Sequence, residues 1–387
     1  MDLYRDNKPV DMLTVCEELK TKKALEMVGG RAYIAALTTE VPSTTNAGEY
    51  AKIVSEKASL RALINTAEDI MKKGYEGKDD TQDILNFAES GIFQIGQKRQ
   101  KSDYTPIQDV LLRNVEIIDA NSRNQGKTVG IPTGFKDLDN LTSGLHRSDL
   151  IILAARPAMG KTAFALNIAQ QTATKAGASV LIFSLEMSKE QLGQRLLAMQ
   201  ARVEMQKLKQ GDLDRKDWDR ITMALDELNS TKIVIDDTPG ISIMEMRNKC
   251  RRLKAEQGLD LIVIDYLQLM SLQGKTDNRQ QEISTISRNL KLLAREMDCA
   301  CIVLSQLSRA PEQRQDHRPI LSDLRESGSI EQDADIVIFL YRDDYYNENT
   351  DKPGVCEVNI AKHRSGPTDK IDLTWVSRYT KFSDKAF

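Results

Sequence analysis

A lysine and a threonine follow a glycine at the start of a predicted helix, in the run Ala155-Arg156-Pro157-Ala158-Met159-Gly160-Lys161-Thr162. Apolar residues 150–154 before this run are typical of a buried strand, and a helix is predicted over residues 162–174. The first turn of a helix offers unpaired N–H groups to an anion, while Lys161 would reach the terminal phosphates and Thr162 would hold Mg²⁺. The pattern predicts a phosphate-binding loop for a nucleoside triphosphate, made by Ala158, Met159, Gly160, Lys161 and Thr162.

The loop departs from the full phosphate-loop pattern at one position. The full pattern begins with Gly five residues before Gly160, where this chain has Ala155. No phosphate-contacting group changes, since Gly160, Lys161 and Thr162 are kept. A Gly-Lys-Ser/Thr triplet alone arises by chance in roughly one chain in five of this length. The strand before the loop and the helix after it therefore carry the prediction.

Three further polar residues each follow an apolar, strand-like run. Asp265 ends the run 261–264, Glu186 follows the run 179–184, and Gln306 ends the run 301–305. The carboxyl ends of parallel strands meet at one edge of a sheet, so these side chains are expected to face the phosphate-binding loop. Asp265 is predicted to hold Mg²⁺ through water, Glu186 to activate water, and Gln306 to hydrogen-bond the γ-phosphate. A solvated first-turn acid at Glu186 and a satisfied strand-end amide at Gln306 are the alternatives.

Two cations lie two residues apart at the end of a late predicted strand. Lys362 and Arg364 flank His363, so both cations point to the same side of that strand. Cations in such a pair suit the negative charge that develops on a transferring phosphoryl group. A surface pair on an edge strand is the alternative.

Two polar segments follow strands on the same presumed edge, at residues 271–281 and 309–328. Their Gly, Asn, Gln and Arg residues suit loops that offer backbone amides and cations to phosphates. Neither segment contains an aromatic residue, so base stacking is not the expected mode of binding. Ordinary solvated loops are the alternative.

The pattern of apolar runs predicts how these residues are positioned. From about residue 130, helical patterns alternate with short runs that are apolar on both faces, at residues 150–154, 179–184, 233–235, 261–264, 300–305 and 336–341. Such runs are typical of a buried parallel sheet with crossover helices. The prediction is an α/β domain over residues 128–387 with a doubly wound, mainly parallel sheet, preceded by a small all-α region.

The first 127 residues are predicted to be helical. Residues 1–97 form a helical region with a hairpin, in which amphipathic stretches from Asn46 to Lys73 and from Ile84 to Phe93 flank a polar turn at residues 74–80. Residues 98–127 are predicted to be a linker with one amphipathic helix, which starts at Thr105-Pro106. The apolar stripe of that helix must pack on its own chain or on a neighbouring subunit.

The composition limits the possible classes of protein. The 387 residues include 54 Lys and Arg against 57 Asp and Glu, a net charge of −3, so a polyanion site must be local. The 5 cysteines form no C-x-x-C pair, which argues against a disulfide framework and a structural zinc site. No apolar run approaches the ~18 residues of a membrane span, and the start has no apolar signal core. The cytoplasm is the expected compartment.

Several motifs, taken together and in order, resemble the bacterial replicative DNA helicase family, DnaB. They are the loop at residues 155–162, Phe183-Ser184-Leu185-Glu186-Met187-Ser188, Asp265-Tyr266-Leu267-Gln268-Leu269, Leu304-Ser305-Gln306-Leu307-Ser308-Arg309, the run from Asp323 to Asp335, and Lys362-His363-Arg364-Ser365-Gly366. The resemblance spans the whole carboxyl-terminal half and implies a RecA-like domain.

The resemblance also implies a function. A member of this family is a homohexameric ring that uses ATP and Mg²⁺ to move 5′ to 3′ on single-stranded DNA and to unwind duplex at the replication fork. It implies that Lys362 and Arg364 enter the neighbour's nucleotide site in trans, and that Arg325, Glu326 and Gly328 bind the DNA backbone. The linker helix, from Pro106 to Asn124, would pack on the adjacent subunit. A RecA-like recombination or regulatory ATPase without unwinding activity is the alternative.

The amino end differs from the family pattern. Family members carry a longer helical head, so the resemblance implies that this region is shortened here. In the family this region forms a collar and binds primase, and primase and a helicase loader are therefore the implied protein partners.

Overall fold

A computed structural model describes Leu3, Pro9 and residues 11–40, 47–77, 80–81, 83–85, 87–88, 91–92, 95, 107–123, 128–270, 279–324 and 328–385. Within these residues no helix is both long enough and apolar enough to cross a bilayer. The chain divides into two compact units, Met1–Val115 and Glu116–Phe387.

The first unit is helical. Its helices are α1 (Met12–Thr21), α2 (Gly30–Glu40), α3 (Ala47–Glu76) and the start of α4 (Ile107–Arg123). Asp11 caps α1, since its Oδ1 accepts from the backbone N–H groups of Leu13 and Thr14 at 2.9 Å. A small cluster of buried apolar side chains, Cys16, Leu25 and Ile34, includes one residue of this helix and one of α2.

Helix α3 contacts the helical residues that follow it. Residues 81, 83–85, 87–88, 91–92 and 95 are helical, and Lys73 Nζ lies 5.1 Å from the centroid of the Phe87 ring. A Cβ on Gly91 would lie 2.6 Å from Thr66 Cγ2, so the two segments approach closely at this point. The two helical segments therefore pack side by side. The predicted boundary at residues 97 and 98 and the predicted helix start at Thr105-Pro106 lie outside the described residues.

The second unit contains one mixed sheet. Its described residues form nine strands, β1 (Leu150–Ala155), β2 (Ser179–Ser184), β3 (Lys232–Asp236), β4 (Leu261–Asp265), β5 (Ala300–Gln306), β6 (Ile336–Tyr341), β7 (Val355–His363), β8 (Lys370–Val376) and β9 (Lys381–Asp384). The strand order is β3-β2-β4-β5-β1-β6-β7-β8-β9. Strands β1–β6 are parallel, whereas β7, β8 and β9 add to the sheet as an antiparallel meander.

Helices cover both faces of the sheet. They are α5 (Lys136–Thr142), α6 (Lys161–Ala176), α7 (Lys189–Ala201), α8 (Met205–Gln210), α9 (Arg215–Asn229), α10 (Ile243–Gln257), α11 (Arg279–Met297) and α12 (Gly328–Asp333). Phe164 of α6 belongs to the apolar core on one face, and Met246 of α10 and Leu290 of α11 belong to the core on the other. The predicted doubly wound α/β domain, preceded by a helical region, is confirmed.

The register places four strand ends at one edge. The adjacent strands β2, β4, β5 and β1 all run in one direction, so their carboxyl ends share that edge. Pairing between β4 and β5 ends at Ile264 and Val303, whereas pairing between β5 and β1 continues to Gln306 and Ala155. The last residues of β5 therefore project beyond their pairing with β4.

Candidate nucleotide site at the carboxyl edge of the sheet

A cleft of about 450 Å³ opens at the carboxyl edge of the parallel strands. Its lining includes Lys161 and Thr162 after β1, Glu186 after β2, Tyr266 after β4 and Gln306 at the end of β5. Four adjacent strands thus bring together residues that are far apart in the sequence. This is the crevice in which α/β sheets bind ligands.

The loop between β1 and α6 has the backbone that a phosphate-binding loop needs. Gly160 has φ +96°, and a Cβ there would lie 3.0 Å from Phe382 Cζ, so both the conformation and the close approach favour glycine. Helix α6 begins at Lys161 without a side-chain cap, which leaves its N-terminus to an anion. Ala155 is the last residue of β1 and has extended backbone, which explains why Ala is accepted where the pattern has Gly. Met159 is buried in the core, so only its backbone is available to a phosphate.

Thr162 and Asp265 are in direct contact. Thr162 Oγ1 donates a hydrogen bond of 2.7 Å to Asp265 Oδ2. The other oxygen, Asp265 Oδ1, is buried and has no hydrogen-bond partner among the described residues. Burial raises the pKa of Asp265, while the Thr162 hydroxyl and then Lys161 oppose this shift. A buried carboxylate oxygen without a donor beside a threonine hydroxyl matches the oxygen ligands that Mg²⁺ prefers.

Lys161 lines the cleft and lies close to Tyr266. Its Nζ is 4.6 Å from the centroid of the Tyr266 ring. Burial lowers the pKa of Lys161, and attraction by Asp265 and Glu186 acts in the opposite direction. A partly desolvated ammonium near two carboxylates and the start of a helix is well placed to bind a polyanion.

Glu186 enters the cleft from a short turn after β2. Ser184 Oγ fixes this turn, because it donates to Met187 O at 2.6 Å and accepts from Met187 N at 3.2 Å. Ser188 then caps α7 in a capping box with Gln191. Glu186 is exposed at this position, so its carboxylate is accessible to a water molecule in the cleft.

Several residues of the cleft carry no clear signal in the sequence. Arg195 lines it from α7, and burial lowers the pKa of Arg195 against the attraction of Asp265 and Glu186. Trp375 lines it from the end of β8, and Arg342 Cζ lies 5.4 Å from the centroid of the Trp375 ring. Arginines in helices and tryptophans at strand ends are common in many proteins, so neither residue indicates a site in the sequence. Only the fold brings Arg195 and Trp375 to the cleft.

Lys362 and Arg364 lie away from this cleft. In the β6–β7 pairing, Lys362 is opposite Val337, near the amino end of β6. Lys362 Nζ donates to Ala334 O at 2.8 Å and to Glu331 O, and Arg364 Nη2 donates to Gln332 O. Both cations therefore bind carbonyl groups at the carboxyl end of α12, where the helix dipole is negative.

Asp335 anchors Arg364 at this amino edge. Arg364 Nη1 lies 3.5 Å from Asp335 Oδ1, and Arg364 N donates to Asp335 O at 2.9 Å. Asp335 Oδ2 accepts from Leu150 N at 2.8 Å and from Lys291 Nζ. The pair Lys362 and Arg364 is thus held at the edge opposite to the chain's own cleft.

The predicted DNA-contacting residues are only partly described. Arg325 and Glu326 lie outside the described residues, as do residues 271–278, and Gly328 is the first residue of α12. Two arginines of the predicted loop 309–328 have carboxylate partners in the chain. Arg314 Nη1 donates to Asp323 Oδ1 at 3.0 Å, and Arg318 Nη2 donates to Glu357 Oε1 at 2.7 Å.

Comparison with known proteins agrees with this geometry. Residues 130–384 match the family model described as DnaB-like helicase C terminal domain, and residues 1–56 match the DnaB-like helicase N terminal domain. The chain is 52% identical to the replicative DNA helicase DnaC of Bacillus subtilis over 97% of its own length and 83% of the relative's. It is 50% identical to the replicative DNA helicase DnaB of Geobacillus stearothermophilus, with the same coverage of 97% and 83%.

Two solved structures are similar to the chain. One is a DnaB-like replicative helicase studied with its interactions with primase, with a TM-score of 0.81, 38% identity, and coverage of 98% of this chain and 89% of that one. The other is an ATPase domain, with a TM-score of 0.70, 42% identity, and coverage of 73% of this chain and 100% of that one.

Proposed function

Because this chain belongs to the DnaB-like replicative helicase family, we propose that it is a replicative DNA helicase. ATP hydrolysis drives a homohexameric ring 5′ to 3′ along single-stranded DNA, and the ring unwinds duplex at the replication fork. The observation that carries this proposal is the match of nearly the whole chain to replicative helicases at 52% and 50% identity, together with a cleft built for a nucleoside triphosphate. The relatives are bacterial, so the proposed compartment is the cytoplasm, which holds the bacterial chromosome.

The cleft residues have different roles in ATP hydrolysis. Backbone N–H groups from Ala158 to Thr162 and the N-terminus of α6 bind the phosphates, and Lys161 neutralises their terminal charge. Glu186, exposed at the mouth of the cleft, accepts a proton from the attacking water. Gln306 hydrogen-bonds the terminal phosphate and distinguishes ATP from ADP.

Thr162 and Asp265 would hold Mg²⁺, the latter through water. The 2.7 Å contact between Thr162 Oγ1 and Asp265 Oδ2 and the unpaired, buried Oδ1 of Asp265 fit such a role. The ion would neutralise charge on the phosphate oxygens. Asp265 also accepts a hydrogen bond of 2.7 Å from Leu185 N through its backbone oxygen, which ties the metal-binding strand to the turn that carries Glu186.

Lys362 and Arg364 act on the nucleotide of a neighbouring subunit. They lie at the amino edge of the sheet, whereas the chain's own phosphate-binding loop lies at the carboxyl edge. A ring in which the amino edge of one subunit faces the cleft of the next would supply two cations in trans to the transferring phosphoryl group.

DNA is bound through its backbone in the centre of the ring. Arg325, Glu326 and Gly328 are the proposed contacts, and a net charge of −3 implies that positive potential is confined to such local sites. Six weak copies of one contact add along the strand, so binding is independent of sequence and sensitive to salt.

Primase and a helicase loader are the proposed protein partners. Primase is favoured because a similar helicase, with a TM-score of 0.81 to this chain, was studied with its interactions with primase. The alternative of a RecA-like recombination or regulatory ATPase has less support, because the relatives named replicative helicases match 97% of the chain, including its helical amino-terminal region.

Unwinding of forked DNA by the purified chain tests the proposal. The wild-type protein should separate a fork with a 5′ single-stranded tail when ATP is present, and Lys161→Ala should lower both ATP hydrolysis and unwinding by about 100-fold or more. The matched control is Lys175→Ala, an exposed lysine of the same helix, which should unwind at the wild-type rate. DNA-stimulated ATP hydrolysis without strand separation on either tail polarity would favour the regulatory ATPase.

A further inference from the structure

The side-chain amide of Gln268 is hydrogen-bonded to the end of β5. Gln268 lies in the 3-10 turn Leu267–Leu269, directly after Asp265 and Tyr266. Its Nε2 donates to Gln306 O at 3.1 Å and to Ser305 Oγ at 2.9 Å, and its Oε1 accepts from Gln306 N at 3.2 Å. One side chain therefore binds both backbone polar groups of the residue assigned to the terminal phosphate.

These hydrogen bonds take the place of backbone pairing between β4 and the end of β5. The β4–β5 pairing ends at Ile264 and Val303, so Gln306 has no residue of β4 opposite it. The N–H and C=O of one strand residue point to the same side, and a carboxamide carries one acceptor and one donor group that match them. Gln268 thus extends the ladder by one residue through its side chain.

The other side of this strand end is fixed to the phosphate-binding loop. Gln306 pairs with Ala155 of β1, and Leu307 N donates to Ala155 O at 3.3 Å. Arg156 Nη1 donates to Leu307 O at 2.9 Å. Gln306 is therefore held between the strand that leads into the loop of Lys161 and the turn that follows Asp265.

We infer that Gln268 is a positioning residue, which sets the side chain of Gln306 against the terminal phosphate. This inference rests on the proposed function, because it needs Gln306 to contact that phosphate. The role requires an amide. Glutamate would keep the acceptor for Gln306 N and lose the donor to Gln306 O, and methionine would fill the same space with neither.

A double-mutant cycle on ATP hydrolysis tests the inference. Gln268→Met and Gln306→Ala are measured singly and together in the full chain, with saturating forked DNA. Gln268→Met should lower kcat by about 10- to 100-fold, because small displacements of a contact to the reacting group are costly. The KM for ATP should stay within about twofold, since the phosphate loop is unchanged. The double variant should hydrolyse ATP no more slowly than Gln306→Ala, because Gln268 acts through Gln306.

Two further variants separate positioning from a general structural role. Ser305→Ala removes one acceptor of Gln268 Nε2 and keeps both contacts to the Gln306 backbone, so its kcat should remain within about twofold of wild type. Gln268→Glu sets a carboxylate oxygen against Gln306 O, where the wild type has a donor, so it should lower kcat at least as much as Gln268→Met. It is the variant to use in the cycle if Gln268→Met does not fold. Thermal unfolding and ring assembly of each variant are measured alongside.

The outcomes distinguish this inference from the proposed function. If the wild-type chain neither hydrolyses ATP nor unwinds a fork, the proposed function itself is contradicted. An active wild type whose Gln268 variants keep the wild-type kcat would overturn only the role of Gln268. Losses that multiply in the double variant would likewise contradict it, because they would show that Gln268 and Gln306 contribute independently.

Discussion

The two edges of the parallel sheet carry charged groups of different kinds. At the carboxyl edge, Asp265 Oδ1 is buried without a partner among the described residues, and Lys161 stands over an aromatic ring. At the amino edge, Asp335 binds Leu150 N, Lys291 and Arg364, and every one of these contacts lies within the chain. A buried carboxylate oxygen without a donor can bind a ligand, whereas Asp335, whose carboxylate oxygens already have partners, holds the amino edge of the fold together.

The distance between the edges explains why the proposed enzyme needs a neighbouring subunit. Ile336 pairs with Ile151, and Ala155 lies four residues further along β1, or about 13 Å at ~3.3 Å per residue. Arg364 is hydrogen-bonded and ion-paired to Asp335, which precedes the start of β6. Arg364 is therefore held at the far end of this distance from the chain's own cleft. If these cations act on a nucleotide, as proposed, that nucleotide is bound by a neighbouring subunit.

The largest effect is expected from removing the Arg364 cation at the amino edge. Arg364→Ala should lower ATP hydrolysis by about 1000-fold, the effect typical of an arginine finger. It should leave nucleotide binding to the cleft nearly unchanged, because the cleft residues are intact. Steady-state hydrolysis and equilibrium binding of a fluorescent ATP analogue provide the two measurements.

Mixing two defective chains tests whether Lys161 and Arg364 act at a shared interface. Arg364→Ala chains mixed with Lys161→Ala chains should recover part of the activity, because some interfaces then combine an intact cleft with an intact cation. Arg378→Ala, an exposed arginine of the same unit, is the control and should be fully active alone. An Arg364→Ala protein that hydrolyses ATP at the wild-type rate, or mixtures without recovery at any ratio, would contradict the role of Arg364 in a neighbour's nucleotide site.

A smaller loss is expected for Asp265, the carboxylate proposed to hold Mg²⁺. Asp265→Asn keeps the acceptor for the Thr162 hydroxyl and removes the charge, so hydrolysis should fall about 100-fold. The loss should be accompanied by a higher Mg²⁺ concentration for half-maximal activity, measured by titration of Mg²⁺ at fixed ATP. Asp260→Asn, directly before the same strand, is the matched control and should keep the wild-type Mg²⁺ requirement. An unchanged Mg²⁺ requirement in Asp265→Asn would argue against the assignment.

The sheet and the cleft could be predicted from the sequence for a physical reason. Strands that are buried on both faces, such as residues 150–154 and 261–264, are continuous apolar runs, and a polar residue that ends such a run stands out. Strands β8 and β9 each contain one buried residue, Leu373 and Phe382, among exposed or half-buried ones, so no continuous apolar run marks them. Strands β8 and β9, the antiparallel direction of β7, and Trp375 were therefore not predicted.

The hydrogen-bond partners of Lys362 and Arg364 could not be predicted from the sequence either. The spacing of Lys362 and Arg364 predicts that they share one side of a strand, and both do bind the end of α12. The antiparallel direction of β7 decides which edge of the sheet they reach, and this direction depends on long-range pairing with β6. Gln268 gives no signal for the same reason, since its partner Gln306 is 38 residues away.

Replacing Asp335 at the amino edge should lower the stability of the protein. Asp335→Asn removes the charge that pairs with Lys291 and Arg364, so the free energy of unfolding should fall by about 1–3 kcal/mol. Urea unfolding of the purified variant measures this loss, and Asp226→Asn, an exposed aspartate of α9, should change it by less than about 0.5 kcal/mol. An Asp335→Asn protein as stable as wild type would contradict a structural role for this edge.

The smallest effect is expected at the wall of the cleft that adjoins Gly160. Trp375 lines the cleft beside Arg342 and packs on Phe382, with ring centroids 4.5 Å apart. The ring at this place would contact the nucleotide base, a contact worth about 1 kcal/mol or somewhat more. Trp375→Leu should therefore raise the KM for ATP about fivefold with little change in kcat, because the base is remote from the phosphoryl group that reacts.

Trp218→Leu, on the exposed face of α9, should leave both constants unchanged. A kcat effect larger than the KM effect would mean that Trp375 acts by supporting the loop at Gly160, and the carboxyl edge would then depend on packing as much as the amino edge does.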